Sequence, residues 1–131
     1  MANEARGNEG QSNEQQANEV TAYVEAIAPA NRPLFDRVHG LLTAACPEAT
    51  IRISYGIPTY EVGKRRLYVG AWQHGVSLYG WHQGGDGGFT ERHPELVHGR
   101  GTIRLRAADA AVIADDELTA LAVAVLGPPA T

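Results

Sequence analysis

The chain has 131 residues, a formal net charge of −4 and a single cysteine. This length fits one domain with one hydrophobic core, and it excludes two domains of ordinary size. A single cysteine excludes an internal disulfide, and no run of about twenty apolar residues is present, so the sequence predicts no membrane span. The first residues show no basic segment followed by an apolar one, so we expect a soluble, cytoplasmic protein.

The N-terminal segment differs in composition from the rest. Residues 1–19 are mostly Asn, Gln, Glu and Gly, with almost no apolar side chain. Such a segment cannot bury enough surface to offset the entropy lost on ordering. We therefore predict a flexible polar tail over 1–19 and a single domain over 20–131.

Apolar spacing predicts helices at both ends of that domain. The first follows the i, i+3, i+4, i+7 pattern of an amphipathic helix, at Val20, Tyr23, Val24 and Ile27. A second helix begins near Pro33 and stops at Cys46, where we expect a small packed thiol. A third covers 109–126, again with apolar residues at helical spacing.

Alternating segments joined by short links lie between these helices. They predict five strands, at 51–55, 59–62, 66–73, 76–81 and 102–106. A glycine-rich loop and one irregular helical turn within 89–98 separate the last two. Because short links imply antiparallel neighbours, we predict an α+β fold: an antiparallel sheet of about five strands with the N- and C-terminal helices packed on one face.

The turn between the first two strands is specified locally. Gly56 can adopt the positive φ that a side chain disfavours, and Pro58 fixes its own φ, so we expect a sharp turn here. The surrounding segment resembles the motif of the YdhG-like domains, small bacterial proteins whose molecular function is mostly unassigned. Its motif residues are Ser54, Tyr55, Gly56, Pro58 and Tyr60, and three later segments match in order, at 67–72, 76–79 and 101–105.

The resemblance covers roughly Val20 to Leu126. It implies the same α+β fold. It also implies iron handling as an alternative function, because one family member has been described as a frataxin-like iron chaperone. Frataxin-type iron binding uses a dense acidic helix surface, because iron prefers carboxylate oxygen, and this chain departs from it: the predicted helices between residues 20 and 46 offer only Glu25 and Asp36.

Side chains alternate along a strand, which sorts the predicted sheet into two faces. One is the core face, expected to pack against the helices: Ile51, Ile53, Leu67, Val69, Ala71, Val76, Leu78, Ile103 and Leu105. The other, which we call the aromatic face, combines rings with guanidinium groups. Its candidate binding residues are Arg52, Tyr68, Trp72, Tyr79, Trp81, Arg104 and Arg106.

Two interpretations fit the aromatic face. Its rings and arginines can be cross-strand pairs covered by the loop 82–100, which stabilise the sheet without any ligand. Alternatively, the rings offer flat contact area and the arginines offer fixed donors for a carboxylate or phosphate. Both can hold in part; from the second we predict a non-catalytic module that binds a small anionic ligand or a protein partner, with a homodimer as a further use of the surface.

Other kinds of site have weaker signals. His82, Asp86, His93 and His98 surround the glycine-rich loop, but their spacing matches no ligand pattern, so we predict no metal ligand and no cofactor. The middle of the chain is only mildly basic, which argues against nucleic acid. An uncharacterised enzyme is the remaining alternative, because catalytic groups can converge in space without a local motif.

Overall fold

The computed structural model describes residues 2–81, 85–99 and 101–127. Two helices precede four consecutive strands: α1 (Ala2–Glu25), α2 (Arg32–Ala45), β1 (Thr50–Ser54), β2 (Ile57–Val62), β3 (Arg65–Trp72) and β4 (Gly75–Tyr79). A short helix and a 3₁₀ turn lead to two more strands and two helices: α3 (Phe89–Arg92), the turn Pro94–Leu96, β5 (Val97–His98), β6 (Thr102–Leu105), α4 (Ala107–Ala111) and α5 (Asp115–Leu126). In the described part of the chain, no helix is long and apolar enough to cross a membrane.

The six strands form one antiparallel sheet in the order β1-β2-β3-β4-β6-β5. This confirms the α+β class and the antiparallel sheet with helices at both ends of the chain. The strand that the sequence did not predict is Val97–His98, which pairs with Ile103 and Thr102 of β6. Two residues directly after a 3₁₀ turn show no alternation, so no periodic signal marks this strand.

The first helix begins earlier than its apolar spacing indicates. It starts at Ala2 rather than near Val20, so the polar segment has a helical backbone over its described residues. The part that packs is the predicted one: Tyr23 and Val24 lie partly buried against the core. The Ala71 backbone N–H donates to the Tyr23 hydroxyl at 2.9 Å, which ties α1 to β3. The division of the chain at residue 19 stays a prediction.

The predicted core face carries the hydrophobic core. Its central side chains are at most 1 % exposed: Leu67, Val69, Val76, Leu78, Ile103 and Leu105. Ile51 and Ala71 pack partly buried against the same cluster, and Ile53 is half-buried. Helices α2 and α5 pack on each other and on this face. Cys46 is 2 % exposed, as expected for a packed thiol, and its burial raises the pKa of the thiol.

The motif turn is a two-residue β-hairpin. Ser54 pairs with Ile57, and Tyr55 and Gly56 between them have positive φ values of 54° and 78°. Two successive residues of this kind form a type I′ turn, whose twist matches that of the flanking strands. The positive φ predicted for Gly56 is confirmed, whereas Pro58 lies within β2 and not in the turn.

Candidate ligand-binding face

The register of the sheet places the candidate residues in rows. One row crosses all six strands: Arg52, Thr59, Tyr68, Tyr79, Thr102 and His98. The next contains Gly70, Ser77 and Arg104. Residues two apart on a strand share a face, so Trp72 and Arg106 lie one step further on the same side. The structure therefore brings most of the predicted aromatic face together.

Trp72 is the centre of a ring-and-guanidinium cluster. The Cζ atoms of Arg104 and Arg106 lie 5.1 and 5.8 Å from the centroid of its ring. The residue opposite Trp72 on β4 is Gly75, which contributes no side chain between the indole and β6. Cation–π contacts of this kind hold the guanidinium groups in place. The N–H donors, which point outward in the plane of the guanidinium group, stay free to bind other acceptors. The Trp72 Nε1 is itself buried and has no acceptor among the described residues.

The cluster borders a depression of about 250 Å³, lined by Trp72, Glu95, Leu96, His98, Arg104, Arg106 and Asp109. None of the ion pairs found among the described residues includes Arg104 or Arg106. The two acids have other contacts: Asp109 Oδ2 accepts a hydrogen bond from the Arg106 backbone N–H at 3.1 Å, and Glu95 Oε2 lies 3.7 Å from His93 Nδ1. Both guanidinium groups are therefore exposed and outside these ion pairs, in a depression that Glu95 and Asp109 also line.

Arg52 differs from the other two arginines because its charge is already compensated. It donates two hydrogen bonds to the Glu61 carboxylate, at 2.9 and 3.1 Å, and Arg66 Nε lies 2.8 Å from the same carboxylate. The hydrogen bonds from Arg52, together with the nearby Arg66 charge, hold the pKa of Glu61 below its ordinary value. Of the three candidate arginines, only Arg104 and Arg106 are therefore outside the ion pairs found among the described residues.

Trp81 departs from the predicted face. It is 7 % exposed and belongs to the core cluster, where its Nε1 donates to the Leu78 carbonyl at 3.1 Å. The cause is Gly80, whose φ of 97° ends the alternation of β4 at Tyr79. Simple parity places Trp81 beside Tyr79, but the turn at Gly80 sends its ring into the core.

A second depression on the aromatic face is lined by Tyr55, Ile57, Tyr68 and Tyr79, and has a volume of about 470 Å³. Tyr55, at the hairpin tip, is 89 % exposed, and its ring centroid lies 6.1 Å from that of Tyr68. Sequence reasoning used Tyr55 as a motif residue and left it and Ile57 out of the candidate face. The signal that could have found them is a bulky ring immediately before glycine in a two-residue hairpin, where asparagine is preferred.

The described part of the chain after β4 borders the Trp72 end of the aromatic face and lines no part of the tyrosine depression. Over 85–99, α3 contacts α5, and Phe89 is buried in the core. The segment reaches the aromatic face at its edge, where Leu96 and His98 line the depression beside Trp72. Arg104 and Arg106 stay exposed. Among the described residues, the covering proposed for the loop 82–100 is therefore confined to the Trp72 end of the face; residues 82–84 and 100 lie outside the described ranges.

The histidines around the glycine-rich loop are dispersed. Asp86 accepts hydrogen bonds from backbone N–H groups at the start of α3. His93 Nε2 lies 2.7 Å from Glu117 Oε1. His98 is on the aromatic face, and His82 lies outside the described residues. Among the residues that the structure describes, no group of three or more His, Cys, Asp or Glu side chains is placed to hold a metal ion.

Two motif residues face the core rather than a pocket. Pro58 and Tyr60 are both buried, and the Tyr60 hydroxyl lies 2.8 Å from His39 Nδ1 on α2. Burial raises the pKa of Tyr60, so its phenol stays protonated at neutral pH. The contact joins β2 to α2 and offers no exposed acid, base or nucleophile.

Comparisons with known proteins do not identify a family for this chain. No protein-family model matches the chain, no curated protein matches it, and no solved structure matches it. The contacts, exposure and charge of the aromatic face are therefore the only indications of function among the described residues.

Proposed function

We propose that the protein is a non-catalytic binding module that holds a small anionic ligand on the aromatic face, at Trp72, Arg104 and Arg106. The observation that carries this proposal is the pair of exposed guanidinium groups over one indole ring, at 5.1 and 5.8 Å. Both groups also line the same depression, so an anion bound there would accept charge-assisted hydrogen bonds from both.

The physical advantage of this arrangement is preorganisation. An arginine in solution loses rotamer freedom when it binds an anion, and that loss subtracts from affinity. Contact with the Trp72 ring already restricts Arg104 and Arg106, so less freedom remains to be lost. The neighbouring depression, of about 250 Å³, has room for a compact carboxylate or phosphate group.

The resemblance of the motif segment supports YdhG-like membership as part of the same proposal. That segment forms the β1–β2 hairpin, which borders the tyrosine end of the aromatic face. Under this proposal the motif shapes the hairpin and the core beneath it, while the charged contacts come from β6 and the residue that follows it.

Calorimetric titration with inorganic phosphate and with citrate tests the proposal. We expect one anion per chain. Arg104→Gln and Arg106→Gln should each weaken binding about tenfold or more, since a charge-assisted hydrogen bond contributes about 1.5–3 kcal/mol. Arg32→Gln is the matched control, because it removes the same charge from α2, where Arg32 pairs with Asp36 at 3.0 Å. If neither anion binds, or if all three variants weaken binding equally, the proposed site is wrong.

A further inference from the structure

Tyr55 has a backbone conformation that bulky residues rarely adopt. Its φ of 54° lies in the left-handed region, which glycine and asparagine tolerate far better. The side chain is 89 % exposed, so burial in the core does not offset the strain. Local strain that folding does not require points to a role in function. The ring at the hairpin tip is the feature that such a role would use.

The strained residue completes an apolar surface. The rings of Tyr55 and Tyr68 are tilted by 52° with centroids 6.1 Å apart, and Ile57 and Tyr79 complete the depression of about 470 Å³. Aromatic rings bind other rings in stacked or edge-to-face geometries, which contribute binding free energy beyond that from buried area alone. Four apolar side chains around one opening therefore fit a flat ring better than a charged group.

This depression and the arginine pair lie on the same face of the sheet. Tyr68 and Trp72 are four residues apart on β3, or about 13 Å at the usual strand rise. Between them lie Gly70 and, opposite it on β4, Ser77, both small and buried. The Ile57 side chain of β2 lies over Gly70, with its Cγ2 3.3 Å from the position of a Cβ there, so a ligand that reaches both ends would cross Ile57.

We propose that one ligand spans both ends: a flat aromatic ring stacks on Tyr55, Tyr68 and Tyr79, and a carboxylate or phosphate roughly 7–13 Å further along the strands, the span of two to four residues, binds Arg104 and Arg106. This inference rests on the proposed anion site and adds the class of ligand, a small aromatic anion. A nucleoside monophosphate and an aryl-alkyl carboxylate share this chemistry. The two depressions together have the volume of an ordinary small-molecule site.

The test compares adenosine 5′-monophosphate, adenosine and inorganic phosphate by calorimetry, with ω-phenylhexanoate as the carboxylate arm. Tyr55→Asn removes the ring and keeps a residue that accepts the left-handed backbone. Val112→Asn is the matched control, because Val112 is 80 % exposed between α4 and α5 and also loses an apolar side chain. We expect Tyr55→Asn to weaken the ring-bearing anions about fivefold or more, as for loss of one stacking ring, and to leave phosphate binding and the control unchanged.

The outcomes separate the two proposals. A ring-bearing anion that binds more tightly than phosphate, and loses this advantage in Tyr55→Asn, supports the inference, and the better of the two arms identifies the anionic group. If phosphate and both ring-bearing anions bind equally, and Tyr55→Asn changes nothing, the inference is overturned while the anion site stands. If adenosine binds as tightly as its monophosphate and Arg104→Gln has no effect, the anion site itself is overturned.

Discussion

The two faces of the sheet are built from the same strands, yet their side chains have opposite consequences. On the core face, residues such as Leu67 and Val69 are at most 1 % exposed and pack under α2 and α5. On the aromatic face, Tyr79 is 36 % exposed, and Arg104 and Arg106 are exposed over the Trp72 ring. The first arrangement gains free energy from burial, whereas the second leaves rings and cations at the surface. The comparison indicates that the core face holds the fold together, whereas burial does not require the rings and cations of the aromatic face.

The two tryptophans give the strongest test of this comparison. Trp81 lies in the core and Trp72 on the aromatic face, so the same substitution probes both faces. We expect Trp81→Ala to lower the free energy of unfolding by about 3–5 kcal/mol, as for a large cavity, and Trp72→Ala by about 1 kcal/mol. Urea unfolding measures both values, and sizing chromatography follows the assembly.

Equal losses for the two variants would show that the aromatic face is covered in solution. A folded Trp72→Ala protein that elutes as a smaller species than the wild type would instead assign the face to a subunit contact. Either result would remove the distinction between the faces on which the ligand proposal depends.

Strand parity explains both the success and the failure of the sequence-based prediction here. Alternation is a local property of extended backbone, so it correctly sorted residues up to Tyr79. It failed at Trp81 because Gly80 has a positive φ, and a single glycine in a sequence does not reveal its own φ. The Arg52–Glu61 pair was equally hidden, because it depends on the register between β1 and β2.

Gly56 tests the hairpin that carries the exposed ring. We expect Gly56→Ala to lower the free energy of unfolding by about 1 kcal/mol or more, because the backbone has a φ of 78°. A methyl group there meets no atom within 4 Å, so the effect isolates backbone strain. Gly40→Ala is the control: position 40 is equally open but lies in α2, where alanine should stabilise by up to about 1 kcal/mol. Unchanged melting of both variants would contradict the assigned turn.

Tyr55→Asn separates the needs of the fold from those of the ligand. Asparagine followed by glycine is the preferred pair for a type I′ turn, so the variant should gain about 0.5–1 kcal/mol in free energy of unfolding. Because the wild-type ring is 89 % exposed, its removal costs little buried apolar area, so this gain should not be cancelled. Thermal melting without ligand measures the change. A clear loss of stability would make Tyr55 a packing residue and remove the argument from strain.

Glu61 gives the smallest expected effect, visible as a change in pH dependence. Hydrogen bonds from Arg52 lower the pKa of Glu61, so its ionised form stabilises the fold. This contribution is complete above the unfolded-state pKa and is lost as the pH falls through the folded-state value. Glu61→Gln should therefore reduce the free energy of unfolding that is lost as the pH falls from about 5 to about 3. The reduction should be well under 1 kcal/mol. Glu19→Gln on α1 is an exposed control, and an identical acid profile for both variants would contradict the ion pair.

The central claim, that the aromatic face binds an anion at Trp72, is tested most directly by two-dimensional proton–nitrogen NMR. The protein has two tryptophans and so two indole N–H signals, one from the proposed site and one hydrogen-bonded inside the core at 3.1 Å. During titration with inorganic phosphate and then adenosine 5′-monophosphate, we predict that the Trp72 indole signal and the Arg104 and Arg106 backbone amides shift saturably, while the Trp81 indole signal stays in place. A Trp72 signal that does not move with either anion, or that moves no more than the Trp81 signal, would contradict the claim.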